Sequence, residues 1–514
     1  MRTAGDRPPT AESHDDAAAR PAEHELAGRA SSGLRWGAFN QGTQQVVRLG
    51  VQIVLTKLLA PSDFGTMALA LVVINIGSLL GAMGFAQVLV QRHNITRRHV
   101  AVAFTTNGLL GIFLMLAVLT GSGTFASWFS SPDLGPLLRV LSVMFLLRGF
   151  EGVPNAMLVR RLYVRDFVLS STIATVAGAA VGIGMAVAGA GLWSLAGMAV
   201  TESFFATSLA WVFAMRARVW RPQVAFDLGT LGELLGFSAA ASGTRLLVVA
   251  QGSVDSIVVG RQLGTEALGQ YSLGYRFLFL PLEKLLDAIG GVLEPVLATL
   301  QDDLARFQGT LLRVERYVCA LYVPLTIGVA CVAHDFVVVI FGPDWLPAVP
   351  VLQILSLNGL RLALVRLHAY ACEARGHPRA GLVVIGAQVA IGTPASIIAA
   401  HYGIVWVAVA FTVTGWLVTP VSFVFLERFT HVGFSRQFAA LRGILVATAV
   451  MAVAVLSVQH AMRPHAGDAA VLTAGVLVGV VTYLVVIMLI DRSLLRSVLR
   501  DMTRRNRAVT GMAS

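Results

Sequence analysis

Lysine is almost absent from this sequence. Of the 39 basic side chains only Lys57 and Lys284 are lysines, and neither follows a glycine. A Walker A loop, which holds nucleotide phosphates, needs a glycine directly before its lysine. The sequence therefore excludes an intrinsic ATPase motor of that type.

Charge is scarce as well. Charged residues make up 13% of the chain, whereas 56% of its residues are hydrophobic and the mean hydropathy is +0.73. Soluble proteins carry roughly 25% charged residues, so too little polar surface remains to cover a soluble globule, and lipid has to cover the rest. The net charge of +11 would suit nucleic acid, but the arginines are spread over short loops between apolar segments and form no single patch.

Cysteine is the third rare residue. Cys319, Cys331 and Cys372 lie in or beside apolar segments without metal-site spacing, so we interpret them as buried thiols and expect no metal or cofactor. Residues 1–31 are polar and contain no apolar run of signal-peptide type. We predict that they form a disordered cytoplasmic tail.

Apolar segments long enough to cross a bilayer follow this tail, and we predict an all-α integral membrane protein of about fourteen transmembrane helices. The expected spans are 33–59, 64–91, 100–120, 136–158, 167–188, 191–215, 231–260, 268–299, 314–340, 348–371, 380–400, 402–426, 440–460 and 468–490. Alternate loops and the C-terminal tail are rich in arginine, while the opposite loops hold little beyond Arg261 and Arg463. Because positive loops stay inside, both termini are predicted to be cytoplasmic.

The sequence also repeats itself. Residues 53–59 are similar to residues 257–263, an offset of 204 that persists to Gly65 and Gly269. Both copies enter from the same side of the membrane, which indicates a parallel repeat of six-helix halves. We therefore predict a tail (1–31), an N-lobe with helices one to six (32–222), a C-lobe with helices seven to twelve (223–430), two further helices (431–491) and a basic cytoplasmic tail (492–514).

Polar side chains follow single faces of several predicted helices. An ionisable group at mid-bilayer costs about 2.5–3.5 kcal/mol, so such groups are expected to face a cavity or a partner. The faces combine Gln41, Gln45, Arg48 and Gln52 in helix one; Arg245 in helix seven; Arg276, Glu283, Asp287 and Glu294 in helix eight; and Asn358, Arg361 and His368 in helix ten.

The deep arginines predict a water-filled cationic cavity. One guanidinium group can donate two parallel hydrogen bonds to phosphate oxygens, so a pyrophosphate would suit these arginines. The alternative is that each arginine pairs with an acid, Arg276 with Glu283 or Arg245 with Asp255. The candidates for substrate binding are Arg48, Arg245, Arg276, Arg361, Gln41, Gln45 and Gln52, and those for ion coupling are Asp255, Glu283, Asp287 and Glu202. Four tryptophans near predicted outer ends are interpreted as interfacial anchors: Trp128, Trp193, Trp345 and Trp406.

Several loops carry a family resemblance. The segments are 58–65, 153–161, 191–195, 220–222, 255–261, 268–271, 341–345 and 374–378. In order and spacing they resemble the Wzx-type polysaccharide flippases, in the branch of lipopolysaccharide or colanic-acid exporters within the MOP (multidrug/oligosaccharidyl-lipid/polysaccharide) superfamily. The similarity runs from about Leu34 to helix twelve. Glu294 and the long N-terminal tail depart from the family pattern.

The resemblance implies two six-helix lobes around a central cavity, plus two extra helices, in a bacterial cytoplasmic (inner) membrane. It implies a transporter, not an enzyme, that flips a lipid-diphosphate-linked oligosaccharide to the outer leaflet by alternating access, for cell-surface polysaccharide synthesis. An H+ or Na+ gradient would drive it, and a polysaccharide polymerase and glycosyltransferases would be its partners. Two other functions stay open: a drug or cation antiporter of the same superfamily, which deep arginines disfavour, and a membrane polymerase or glycosyltransferase, which the short outer loops disfavour.

Overall fold

The computed structural model describes residues 42–82, 85–92 and 94–490, and within helices it leaves out the side chains of 80–82, 91, 237–247, 250, 280 and 281. Both predicted tails lie outside this range. The described chain is helical and contains no strand. Its helices are α1 (42–58), α2 (Pro61–Ala82), α3 (Phe85–Gln91), α4 (Arg97–Trp128), α5 (Leu134–Leu141), α6 (Val143–Arg160), α7 (Val164–Val187), α8 (Leu192–Arg216), α9 (Leu228–Gln262), α10 (Gly264–Thr299), α11 (Leu304–Ile340), a 3₁₀ turn (Pro343–Trp345), α12 (Ala348–Ser356), α13 (Gly359–Ala374), α14 (Arg379–Ala400), α15 (Ile404–Thr430), α16 (Phe434–Met462) and α17 (Asp468–Ile490).

Every predicted span coincides with one helix or with a consecutive pair. Spans two, four and ten, which the sequence presents as continuous, are pairs: α2 with α3, α5 with α6, and α12 with α13, the last bent by 46°. Nine of the described helices are long and apolar enough to cross a membrane, or ten if the bent pair is one span. The count of fourteen stays a prediction, because α1, the pair of α5 with α6, α9 and α10 are not among these ten.

Contacts near the helix ends identify two opposite faces of the molecule. The Arg160 guanidinium donates to the Leu89 and Arg92 carbonyls at 2.7 Å, so loops predicted to be cytoplasmic meet each other. At the opposite ends, the buried Asp335 carboxylate accepts from Gln459 at 2.9 Å and lies 3.4 Å from Arg463. We call these the inner and the outer face. Which of the two faces is cytoplasmic stays a prediction of the arginine pattern.

The start of α9 is fixed to the inner end of α3 and α4. Asp227 caps α9 by accepting from the Thr230 hydroxyl and from its amide at 3.0 Å, and these bonds lower the pKa of the carboxyl. The same carboxylate lies 3.2 Å from the Arg98 guanidinium, and six residues later Glu233 lies 2.8 Å from that of Arg92. The beginning of α9 therefore packs on α3 and α4, and the remainder of α9 contacts α2, α10 and α14.

The two repeats touch at the outer face. A Cβ added to Gly65 would lie 1.7 Å from the Thr265 carbonyl oxygen, and one added to Gly269 would lie 1.8 Å from that of Pro61. Pro61 and Thr265 are themselves 204 residues apart, so the contact is reciprocal between repeat-equivalent positions. We call these four residues the outer closure. Only glycine permits so close a backbone approach.

Trp345 completes this contact, and its interpretation as an interfacial anchor is wrong. The indole is 1% exposed, donates to the Thr56 carbonyl at 3.1 Å and packs edge-on against Phe64 at 5.4 Å between centroids. A residue after α11 thus bonds the end of α1. Trp128 and Trp406 are about half exposed, as anchors should be.

Candidate substrate cavity and coupling groups

A cavity of about 190 Å³ lies among α9, α10, α13, α14 and α15. Its polar lining includes Gln251, Glu283, Arg361, Arg366 and Gln388, and aromatic rings such as Phe411 form much of the remaining wall. Two guanidinium groups and one carboxylate therefore face the same space. A pocket of this composition can hold a negatively charged group beside an apolar one.

Arg361 is the most enclosed of these groups. It is 4% exposed, and it donates to the Asn358 side-chain oxygen at 2.9 Å and to that of Gln388 at 3.2 Å. Its guanidinium lies 5.8 Å from the centre of the Phe411 ring and against Gly415, where a Cβ would come within 2.7 Å of it. Every partner is neutral, and in the described part of the chain no carboxylate lies within 4 Å. A buried cation held in this way still lacks a counter-ion, which an anionic ligand can supply.

Glu283 and Asp287 lie on one face of α10 but have different partners. Glu283 accepts from the Tyr275 hydroxyl at 3.4 Å inside the cavity. Asp287 is exposed and lies 3.5 Å from the Arg366 guanidinium. The sequence did not single out Arg366, although its position five residues after Arg361 keeps it near the same part of α13. The pairing leaves Arg361, not Arg366, as the free cation of the cavity among the described residues.

Arg48 and Glu202 form an ion pair between α1 and α8. The guanidinium lies 2.8 Å from the carboxylate, which also accepts from the Thr175 hydroxyl at 3.0 Å. Gly178 lets α7 approach α8 here, since a Cβ on it would lie 3.0 Å from that of Glu202. The Arg48 side chain stays 56% exposed, so its outer edge remains accessible. One substrate candidate and one coupling candidate are thus partners.

Exchanging the charges of this pair tests whether Arg48 binds the substrate or only neutralises Glu202. We expect Arg48→Ala to reduce export by about tenfold, the effect of losing one charge-assisted hydrogen bond to a phosphate. The double variant R48E/E202R should stay defective, because a glutamate at position 48 repels an anion. Export measured at equal membrane levels checks this. Full recovery in the double variant would show that Arg48 serves only to neutralise Glu202.

The other candidates on α1 and α9 are less well placed. Gln45 and Gln52 are partly buried on α1. Gln41 and the side chain of Arg245 lie outside the described residues, so the suggested pair of Arg245 with Asp255 lies outside them too. Asp255 is buried and accepts from Tyr271 at 3.1 Å and from Ser396 at 3.0 Å.

Arg276 is partly buried on α10, and the suggested pair with Glu283 is not formed. No carboxylate in the described residues lies within 4 Å of its guanidinium. Arg276 and Arg361 therefore share one property, which is a positive charge at depth without a nearby described acid.

Sequence reasoning missed a second group of charges in the first repeat. The Arg148 guanidinium donates to Ser78 at 3.1 Å, and one turn later Glu151 accepts from Asn155 at 2.9 Å. Two opposite charges within an apolar stretch were the available signal. The family resemblance drew on residues 153–161 alone, so it gave Arg148 and Glu151 no predicted role.

The fold and this buried, charged interior define a multi-pass membrane transporter. A family model described as a polysaccharide biosynthesis protein matches residues 54–350, which is more than half of the chain. The chain belongs to this polysaccharide biosynthesis family, and the predicted relationship is confirmed.

Named relatives extend the likeness along the chain. The succinoglycan biosynthesis transport protein ExoT of Rhizobium meliloti is 26% identical over 88% of this chain and 91% of its own length. The lipopolysaccharide biosynthesis protein WzxC of Escherichia coli is 28% identical, over 64% and 66%. The teichuronic acid biosynthesis protein TuaB of Bacillus subtilis is 25% identical, over 57% and 60%.

Solved structures confirm the fold. The lipid II flippase MurJ in an inward closed conformation superposes with a TM-score of 0.74 at 13% identity, covering 89% of this chain and 99% of MurJ. An inward-facing multidrug MATE transporter of the MOP superfamily gives 0.59 at 14% identity, covering 78% and 96%. At these identities the likeness concerns the fold alone, and it agrees with the predicted all-α membrane architecture.

Proposed function

We propose that this protein flips a lipid-diphosphate-linked oligosaccharide from the cytoplasmic to the outer leaflet of a bacterial inner membrane by alternating access. The observation that carries the proposal is Arg361, a buried guanidinium that lines a cavity and is held by neutral groups. A diphosphate supplies the missing negative charge, and guanidinium geometry suits its oxygens. Family membership and the names of the relatives point to the same class of cargo.

The remaining roles form part of the same proposal. Two six-helix lobes and two extra helices would carry the movement, with both termini cytoplasmic. Arg48, Arg276 and Arg361 would contact the substrate, together with Gln45 and Gln52 and, outside the described residues and side chains, Gln41 and Arg245. Asp255, Glu283, Asp287 and Glu202 would serve ion coupling. The protein would act without catalysis, beside a polymerase and glycosyltransferases.

A cationic-drug antiporter is the weaker alternative. The likeness to a MATE transporter concerns the fold, which related transporters share while differing in cargo. Arg361 and Arg366 in one cavity would repel a cationic drug. An anionic headgroup fits the charge of the described cavity better.

The proposal is tested by locating the lipid-linked sugar in cells that lack the protein. We expect the deletion strain to lose its surface polysaccharide and to keep the lipid-linked oligosaccharide where a glycosidase reaches it in inverted vesicles but not in spheroplasts. A polymerase-deficient strain is the matched control, because its oligosaccharide still reaches the outside. Outer-leaflet oligosaccharide at wild-type level in the deletion strain would overturn the proposal.

A further inference from the structure

A fully buried glutamate lies next to the cavity, and neither the family nor the cavity lining accounts for it. Glu315 on α11 is 1% exposed, and both of its carboxyl oxygens lack a hydrogen-bond partner among the described residues. A carboxylate in such a place is costly unless it is neutralised. Its one ionic neighbour in the described chain is the His368 imidazole on α13, with Nε2 at 3.5 Å.

His368 is also enclosed, and its surroundings fix one of its two protons. The ring is 1% exposed, with Nδ1 3.1 Å from the Ser422 hydroxyl oxygen. That hydroxyl donates its hydrogen to the Thr419 carbonyl at 2.8 Å, so it accepts from Nδ1–H. This leaves Nε2 facing the Gln437 side-chain oxygen at 2.9 Å and the carboxyl of Glu315.

Glu315 and His368 then need one proton between them to carry no net charge. A neutral imidazole and a carboxylate together carry one net negative charge, which a single proton cancels. With that proton on Nε2 the ring donates to the Gln437 oxygen. With the proton on the carboxyl the Gln437 amide has to turn so that its NH2 donates to Nε2. The neighbouring elements bring little other charge. The titratable residues beside the pair on its own helices are Cys319 on α11 and Cys372 on α13, and Arg316 follows Glu315 on α11. The neighbouring α15 and α16 contribute the neutral Ser422 and Gln437.

The pair also reaches the cavity. His368 and Ser422 line it together with Arg361, which lies seven residues before His368 on the same face of α13. Glu315 sits behind His368, away from the cavity. A proton can reach the carboxyl when Nε2 gives its hydrogen to Glu315 and Nδ1, after releasing its own hydrogen to Nε2 by tautomerisation, takes one from the Ser422 hydroxyl, which the cavity resupplies.

We propose that Glu315 and His368 form a proton-binding site that exchanges with this cavity and couples transport to the proton gradient. The site lies apart from the sequence candidates Asp255, Glu283, Asp287 and Glu202. Proton binding follows from the contacts alone. Its coupling to transport rests on the export function proposed above.

Infrared spectroscopy of the purified full-length protein tests proton binding without a substrate. A pH titration should show a protonated-carboxyl band that Glu315→Gln removes and Glu315→Asp retains, with each variant checked for folding by gel filtration. His368→Gln should shift the pH at which the band is lost. Glu427→Gln, the same change at an exposed residue of α15, is the control and should leave the band unchanged. A band that survives in a folded Glu315→Gln variant, or one that His368→Gln does not shift, would overturn the site.

Export in cells tests the coupling. A protonophore should stop export by the wild type, and Glu315→Gln should export at a rate that no longer depends on external pH. Wild-type export that persists with the protonophore would remove the coupling and leave the flippase intact. Failure of the flippase itself would appear separately, as outer-leaflet oligosaccharide in the deletion strain.

Discussion

Replacing Gly65 and Gly269 together with alanine is expected to drive the outer face open. Each new methyl group would meet a backbone carbonyl, of Thr265 or Pro61, at less than 2 Å. Backbone atoms within helix starts cannot rotate away, so the two repeats have to separate. Overpacking of this kind costs about 1–3 kcal/mol, which shifts a two-state equilibrium by about 5–150-fold. The outer-closed state should become the minor one, and export should fall with it.

Labelling of an outer-face cysteine at Phe64 would follow the opening, since that ring is buried against Trp345 in the closed contact. Gly386→Ala is the matched control, because a Cβ at that helical position meets nothing within 4 Å. It should leave labelling and export unchanged. Equal labelling of Phe64→Cys with and without the alanine pair would show that these glycines do not hold the outer face closed.

Removing the Arg361 charge should nearly abolish export. Arg361→Ala deletes a charge-assisted hydrogen bond to the cargo, worth about 1.5–3 kcal/mol, so binding should weaken by about 10–150-fold. Arg361→Lys should recover part of the activity, since lysine keeps the charge but loses the planar fork. Binding of inorganic pyrophosphate to the purified protein, and export in cells, measure the two effects.

Gly415→Ala tests the position of the Arg361 guanidinium separately from its charge. Its methyl group would come within 2.7 Å of the guanidinium, which would have to move while Arg361 itself is unchanged. Weaker pyrophosphate binding in that variant is expected. If Arg361→Ala binds pyrophosphate as the wild type does, the guanidinium does not receive the phosphate.

Local sequence patterns predicted the helices well and their interruptions poorly. Apolar runs place α7, α8 and α17 within a few residues, because a span needs only enough hydrophobic length. The break between α5 and α6 falls at Ser142, which carries no proline or glycine signal. The two pieces pack differently, since α5 contacts α2, α4 and α8 whereas α6 also contacts α3 and α7, and such contacts leave no periodicity in one segment.

The charged residues of the cavity could be predicted from local sequence, but their partners could not. Arg361 stood out because a charge on an apolar helix is conspicuous by itself. Its neutral partner Gln388 lies 27 residues away, and Glu202 lies 154 residues from Arg48, so spacing along the chain could not pair them. Trp345 was misplaced because its partner, the Thr56 carbonyl, is 289 residues away.

The reciprocal glycine contact has the geometry of an isologous interface, in which each half gives and receives the same contact. A single six-helix unit presenting one such surface would pair with a second copy of itself through a two-fold axis. Duplication and fusion of that unit would then keep the interface while freeing each half to diverge in its interior. Such divergence would account for Arg48 with Glu202 in one half and Arg361 with Gln388 in the other. The outer closure would then be the shared surface, and the two polar interiors would differ.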